Sequence, residues 1–152
     1  MVKIEHFEDL KVWQLARETC NDIWYFLENT SLSRDFELKN QMSRSSGSIM
    51  DSIAEGFERN GTREFIQFLS ISKGSCGELR SQLYRALDRK HITQAQFNII
   101  SEKTLSEKKR IGSFMAYLNK INYRGDKFTG EANSLKNEQV ANTQPPTPNP
   151  QP

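Results

Sequence analysis

The stretch Ser48-Ile49-Met50-Asp51-Ser52-Ile53-Ala54-Glu55-Gly56-Phe57, followed after five residues by Arg63-Glu64-Phe65-Ile66-Gln67-Phe68-Leu69, decides how the rest of the chain is read. Ile49, Ile53 and Phe57 recur every four residues, and Phe65 and Leu69 take up the same step beyond the break, which fits one face of a helix and not the two-residue alternation of a strand. One amphipathic helix therefore closes here and another opens. Asn60-Gly61 would signal a hairpin between strands, but between two helical patterns Gly61 is expected to be the left-handed residue that ends the first helix. Thr62 is then expected to cap the second.

Outward from this junction, the upstream helix is expected over residues 35–58, with Ser33 as its N-cap. The downstream helix is expected to about residue 90, on a stripe of Phe65, Leu69, Ser72, Cys76, Leu79, Leu83 and Leu87. An earlier helix is expected over residues 8–29, where Trp13, Ala16, Cys20, Ile23 and Leu27 follow steps of three and four. Thr93-Gln94-Ala95-Gln96 has the form of a capping box, two reciprocal bonds that fix a helix start, and Phe97, Ile100, Thr104, Ile111, Met115 and Leu118 supply the stripe of a fourth helix. Three short connections between long helices predict an all-α, up-down-up-down antiparallel four-helix bundle over residues 1–124. Residues 125–152 are rich in Pro, Asn and Gln and end Gln144-Pro145-Pro146-Thr147-Pro148-Asn149-Pro150-Gln151-Pro152. So few apolar groups cannot offset the entropy of ordering, and a disordered tail is expected.

A chain of 152 residues is long enough for one domain with a real core. Its 21 basic and 19 acidic residues leave a net charge of +2, and the excess of cations lies before residue 125. The sequence pI of 8.5 falls short of the value above about 9 that marks strongly basic nucleic-acid domains, so composition permits RNA binding without demanding it. Cys20 and Cys76 have no nearby His and read as reduced, buried thiols. No signal peptide and no apolar run of spanning length is visible, so a cytoplasmic protein without a membrane partner is expected.

The chemistry is mostly absent. His6 and His91 are the only histidines, and no Glu-x-x-His pair of the di-iron bundles is present. The serines lack the glycine pattern of a nucleophile elbow, and Gly74-Ser75-Cys76-Gly77 falls inside a helix rather than after a strand, as phosphate loops require. Glu55 shares a polar arc with Arg44 and Asp51, so an ion pair explains it more cheaply than catalysis does. No enzyme, metal or cofactor is expected.

Two features exceed what one core needs. The apolar residues of the second helix, Leu38, Met42, Ile49, Met50, Ile53, Ala54 and Phe57, spread over about 160°, wider than the roughly 100° of a simple core stripe. In the third helix Ser70, Gly74, Gly77 and Ser81 form a separate flank, and each internal glycine costs about 1 kcal/mol that close approach of a neighbouring helix would offset. Met50, Ala54, Phe57, Ser70, Gly74, Gly77 and Ser81 are therefore candidate interface residues of a homo-oligomer; a central position of the second helix within its own bundle is the alternative. The third helix also carries Arg63, Lys73, Arg80, Arg85 and Arg89, and repetition in a homo-oligomer would multiply that charge into a field that attracts phosphates. A solvated face balanced by Glu64, Glu78 and Asp88 is the plainer explanation. Lys108-Lys109-Arg110 is a second basic cluster.

Phe7-Glu8-Asp9-Leu10-Lys11-Val12-Trp13, Ile53-Ala54-Glu55-Gly56 and Ser75-Cys76-Gly77-Glu78-Leu79-Arg80-Ser81-Gln82-Leu83 together resemble the bacterial four-helix bundle proteins encoded in intervening sequences of 23S rRNA genes. These are relatives of the accessory variability determinant of diversity-generating retroelements. The resemblance covers residues 7–122. It implies a ring-shaped homo-oligomer, typically a pentamer, that associates with RNA or DNA and with a reverse transcriptase. Family members usually show Ser-Ile-Pro-Ser-Asn where this chain has Met50-Asp51-Ser52 in place of Pro-Ser-Asn, so the helix is expected to run straight. The function expected is that of a non-catalytic nucleic-acid-associated accessory protein; the alternative is a protein–protein scaffold with no nucleic-acid role.

Overall fold

A computed structural model of the chain describes residues 4–123. Four helices follow one another: α1 (Lys11–Asn29), α2 (Phe36–Glu58), α3 (Thr62–Asp88) and α4 (Gln94–Tyr123), with short 3-10 turns at Phe7–Asp9 and Ser31–Arg34. Each helix runs antiparallel to the one before. Cross-contacts pair rising numbers with falling ones: Cys20 with Ser46 and Glu28 with Lys39, Gln41 with Arg85 and Ile49 with Ser72, then Phe65 with Phe114 and Tyr84 with Phe97. Lys103 of α4 returns to Asp22 and Glu18 of α1, closing the up-down-up-down bundle. The expected tail lies outside the described residues.

Local chemistry accounts for the helix ends. The first helix starts at Lys11 and not at residue 8, because Phe7–Asp9 forms a separate 3-10 turn held by the Asp9 carboxylate, which accepts the Glu5 and His6 N–H groups. The N-cap of α2 is Asp35, whose carboxylate accepts the Leu38 N–H at 3.3 Å; Ser33, the expected cap, is spent in the turn before it. Gly61 has a positive φ of 121°, but it does not end α2, whose C-cap is Arg59; it occupies instead the N-cap position of α3 expected of Thr62, which is already helical. Lys90 ends α3 at φ 61°, with its N–H bonded to the Leu87 carbonyl and that of His91 bonded to the Ala86 carbonyl, the paired bonds of a Schellman motif that usually employs glycine. The Thr93–Gln96 capping box forms as the sequence predicts, with reciprocal bonds of 2.9 and 3.1 Å.

Ala16, Ile23 and Leu27 of α1, Met42, Ile49 and Ile53 of α2, Phe65, Leu69, Leu79 and Leu83 of α3, and Ile100, Ile111 and Leu118 of α4 are buried in one core. The α2–α3 seam is instead polar and short-range. Ser45 donates to Gln82 Oε1 at 2.6 Å, Ser75 to Ser48 at 2.9 Å, and Ser72 to the Ile49 carbonyl at 2.7 Å. Small side chains let these two backbones approach, most closely at Gly56, where a Cβ would stand 2.5 Å from Phe68 Cβ and 2.9 Å from Phe65 Cδ2. That contact explains the glycine of the Ala54-Glu55-Gly56 motif. Helix α2 runs unbroken through Met50.

Candidate nucleic-acid interface

Helix α3 presents four faces, and they divide the cations expected to act together. Its core stripe turns inward. Lys73, Arg80 and Tyr84, at steps of seven and four, lie on the flank toward α4. The Tyr84 ring packs 4.7 Å from that of Phe97, and Lys73 Cε lies 3.8 Å from where a Cβ would stand on Gly112. Helix α4 adds Lys108 to this seam, close enough for its charge to act on Cys76, while Lys109, next in the chain, is exposed. Among the described residues none of Lys73, Arg80, Lys108 and Lys109 makes an ion pair. The Arg80 Nε atom is buried without a hydrogen-bond partner.

Arg85 and Arg89 stand on the opposite flank, toward α2, and are committed within the chain. Arg85 donates to Gln41 Oε1 at 2.6 Å, and Arg89 pairs with Asp35 at 2.8 Å. Arg63 is exposed at the start of α3, away from both groups. Lys73 and Arg80 thus share one flank, joined by Lys108 of α4, which the sequence showed only as part of a separate cluster. The outward face between the flanks carries Ser70, Gly74 and Ser81, all exposed, and Gly77, half-buried. A Cβ on Gly74 or Gly77 would meet nothing within 4 Å, so no helix of this chain makes use of the missing side chains.

Met50, Ala54 and Phe57 are half-buried on the flank of α2 toward α1, a different side of the bundle from the α3 outer face. Met50 and Phe57 pack against the core edge, and the Phe57 ring meets Phe65 at 6.1 Å. Glu55 does form an ion pair, but with Arg59 one turn on, at 2.9 Å, rather than with Arg44.

At the end of the bundle that holds both the α1–α2 and the α3–α4 connections, Ser31 Oγ lies 2.6 Å from His91 Nδ1, and His91 Nε2 lies 2.9 Å from Asp35 Oδ2. The order Ser, His, Asp mimics a hydrolytic triad. Here, however, the Asp35 carboxylate also holds Arg89 and caps α2, bonds that with His91 draw its pKa down to about 2. The array acts as a clasp between the two connections, and sequence spacing gave no sign of it.

The sequence also passed over Glu107. It lies on the α4 core stripe between Thr104 and Ile111, is 1% exposed, and neither carboxyl oxygen has a hydrogen-bond partner. Burial pushes its pKa up to about 8, against the pull of Arg110. Cys76 is buried as expected, and burial, reinforced by Glu107, raises its thiol to about 12. Cys20 departs from expectation: it is only half-buried at the α1–α2 edge, where its thiol donates to Ser46 Oγ at 3.9 Å. Position 19, not 20, is the inward one, and Thr19 is fully buried.

Among the described residues no helix is long and apolar enough to cross a membrane, and no group of three or more His, Cys, Asp or Glu side chains is placed to hold a metal ion. Comparison with curated proteins gives no match. A family model described as 23S rRNA-intervening sequence protein matches residues 8–113, which include α1, α2, α3, the clasp and the Lys73–Arg80–Lys108 seam. The chain belongs to the family of 23S rRNA-intervening sequence proteins.

Proposed function

We propose that this protein is a non-catalytic, homo-oligomeric accessory protein that binds the phosphate backbone of RNA along the α3–α4 seam. The observation that carries the reading is the set of cations Lys73, Arg80 and Lys108 on one seam, none of which makes an ion pair among the described residues. Phosphate oxygens pair with such cations, and the family's description ties it to 23S rRNA. Assembly is supported by two unlike patches on different sides of the bundle, Met50–Ala54 on α2 and Ser70–Gly74–Gly77–Ser81 on α3. Contact between unlike patches is head-to-tail, and closes into a ring when the rotation allows; a pentamer is the ring size that the resemblance favours. The retroelement relatives make a reverse transcriptase the protein partner to try first.

Replacement of Lys73 and Arg80 by Ala should weaken binding to structured RNA and leave the helical circular-dichroism spectrum intact. Light scattering should find more than one chain per particle. A stable monomer at tens of micromolar would remove the assembly claim. Normal RNA binding by the double variant would turn the reading toward a protein–protein scaffold.

A further inference from the structure

We infer that the ligand of the α3–α4 seam is an unpaired polynucleotide strand, with its phosphates on Lys73, Arg80 and Lys108 and a base stacked on Tyr84. This rests on the seam being a phosphate-binding surface, and adds which form of nucleic acid it takes. Tyr84 follows Arg80 by one turn, about 6 Å along the same flank, and its side is 52% exposed although it is one of the largest apolar groups of the helix. Phe97, itself buried, packs against the ring at 4.7 Å with the planes tilted by 56° and holds it in place. An aromatic ring fixed beforehand loses little freedom when a partner stacks on it.

A cationic track with an aromatic ledge is the arrangement by which single strands are held without sequence preference, because every base has a π-face. Duplexes cannot use the ledge. Their bases are stacked on one another, and bringing one out costs a few kcal/mol that a single tyrosine does not repay. RNA and DNA offer the same phosphates and the same kind of base π-face to this surface, and differ in the 2′-hydroxyl and the thymine methyl.

Fluorescence anisotropy with labelled 20-mers of oligo(U) and oligo(dT), and with a blunt duplex of the same length, tests the inference on the full-length protein. Both single strands should bind at least tenfold tighter than the duplex at near-physiological salt. Tyr84→Leu should weaken the single strands about tenfold, within the span of one base–aromatic stack, and leave duplex affinity and salt slope unchanged. Tyr84→Phe should bind as the wild type does, which separates loss of stacking from loss of folding. Duplex binding equal to or tighter than that of the single strands, or unaltered binding by a folded Tyr84→Leu protein, would overturn it. Absence of salt-sensitive binding to all three probes would instead mean that the seam does not bind phosphate at all.

Discussion

Glu107→Gln should stabilise the protein, and by an amount that depends on pH in a calculable way. The folded chain holds the carboxyl proton up to about pH 8, since burial disfavours the charge, whereas the unfolded chain releases it near the ordinary 4.5. Between these values the folded state binds about one proton more than the unfolded, so the residue's contribution is most favourable below pH 4.5 and is lost as pH rises, at about 1.4 kcal/mol per unit. At pH 7 the wild type should therefore have lost about 3 kcal/mol relative to acid, and above pH 8 the loss should level off near 5 kcal/mol. Glutamine keeps the shape and cannot ionise. The stability difference between variant and wild type should open from near zero at pH 4.5 to about 3 kcal/mol at pH 7. The Asp35 carboxylate, lowered to about 2, contributes in the other direction, but only as pH falls below 3.8, so the two windows do not overlap. Urea unfolding of both proteins at pH 5, 6, 7 and 8, with unchanged m values, measures the difference. Parallel stability curves across this range would refute the buried, unpaired carboxyl.

Other outcomes follow from single contacts. Gly56→Ala should cost about 1–3 kcal/mol, because the added methyl must displace Phe68 or Phe65, a cost that outweighs the helix propensity gained; a rise in melting temperature would contradict the close α2–α3 contact. Lys90→Gly should gain up to about 1 kcal/mol by relieving a left-handed residue, and thermal melting decides the sign. A thiol reagent at pH 8 should modify Cys20 first and reach Cys76 only on unfolding, since Cys76 is sealed in the core; equal rates would place both thiols at the surface.

Four helices, three connections and the Thr93–Gln96 box were legible because each rests on local spacing: a three-to-four-residue apolar rhythm, or two polar side chains three residues apart. What escaped was set by pairing across helices. The run Ser43-Arg44-Ser45-Ser46 looked unremarkable, yet Ser45 and Ser46 are buried, because α3 supplies Gln82 to one and the backbone turn supplies the Met42 carbonyl to the other. Arg85 and Arg89 looked equivalent to Lys73 and Arg80 because charge is visible in a sequence and a partner 44 or 54 residues away is not. The His91 clasp joins two connections that only the fold brings side by side. Glu107 could have been found: the α4 stripe steps from Thr104 to Ile111 through position 107, and a carboxylate on a core stripe is the signal.

The seam itself is tested most directly by the salt dependence of binding. The wild-type protein should bind RNA with log K falling linearly against log salt, and substitution of Lys73 and Arg80 by Ala should flatten the slope by about 1.4 for each chain that engages a single strand. Binding that is absent at near-physiological ionic strength, or a slope that the double variant leaves unchanged, would contradict the account.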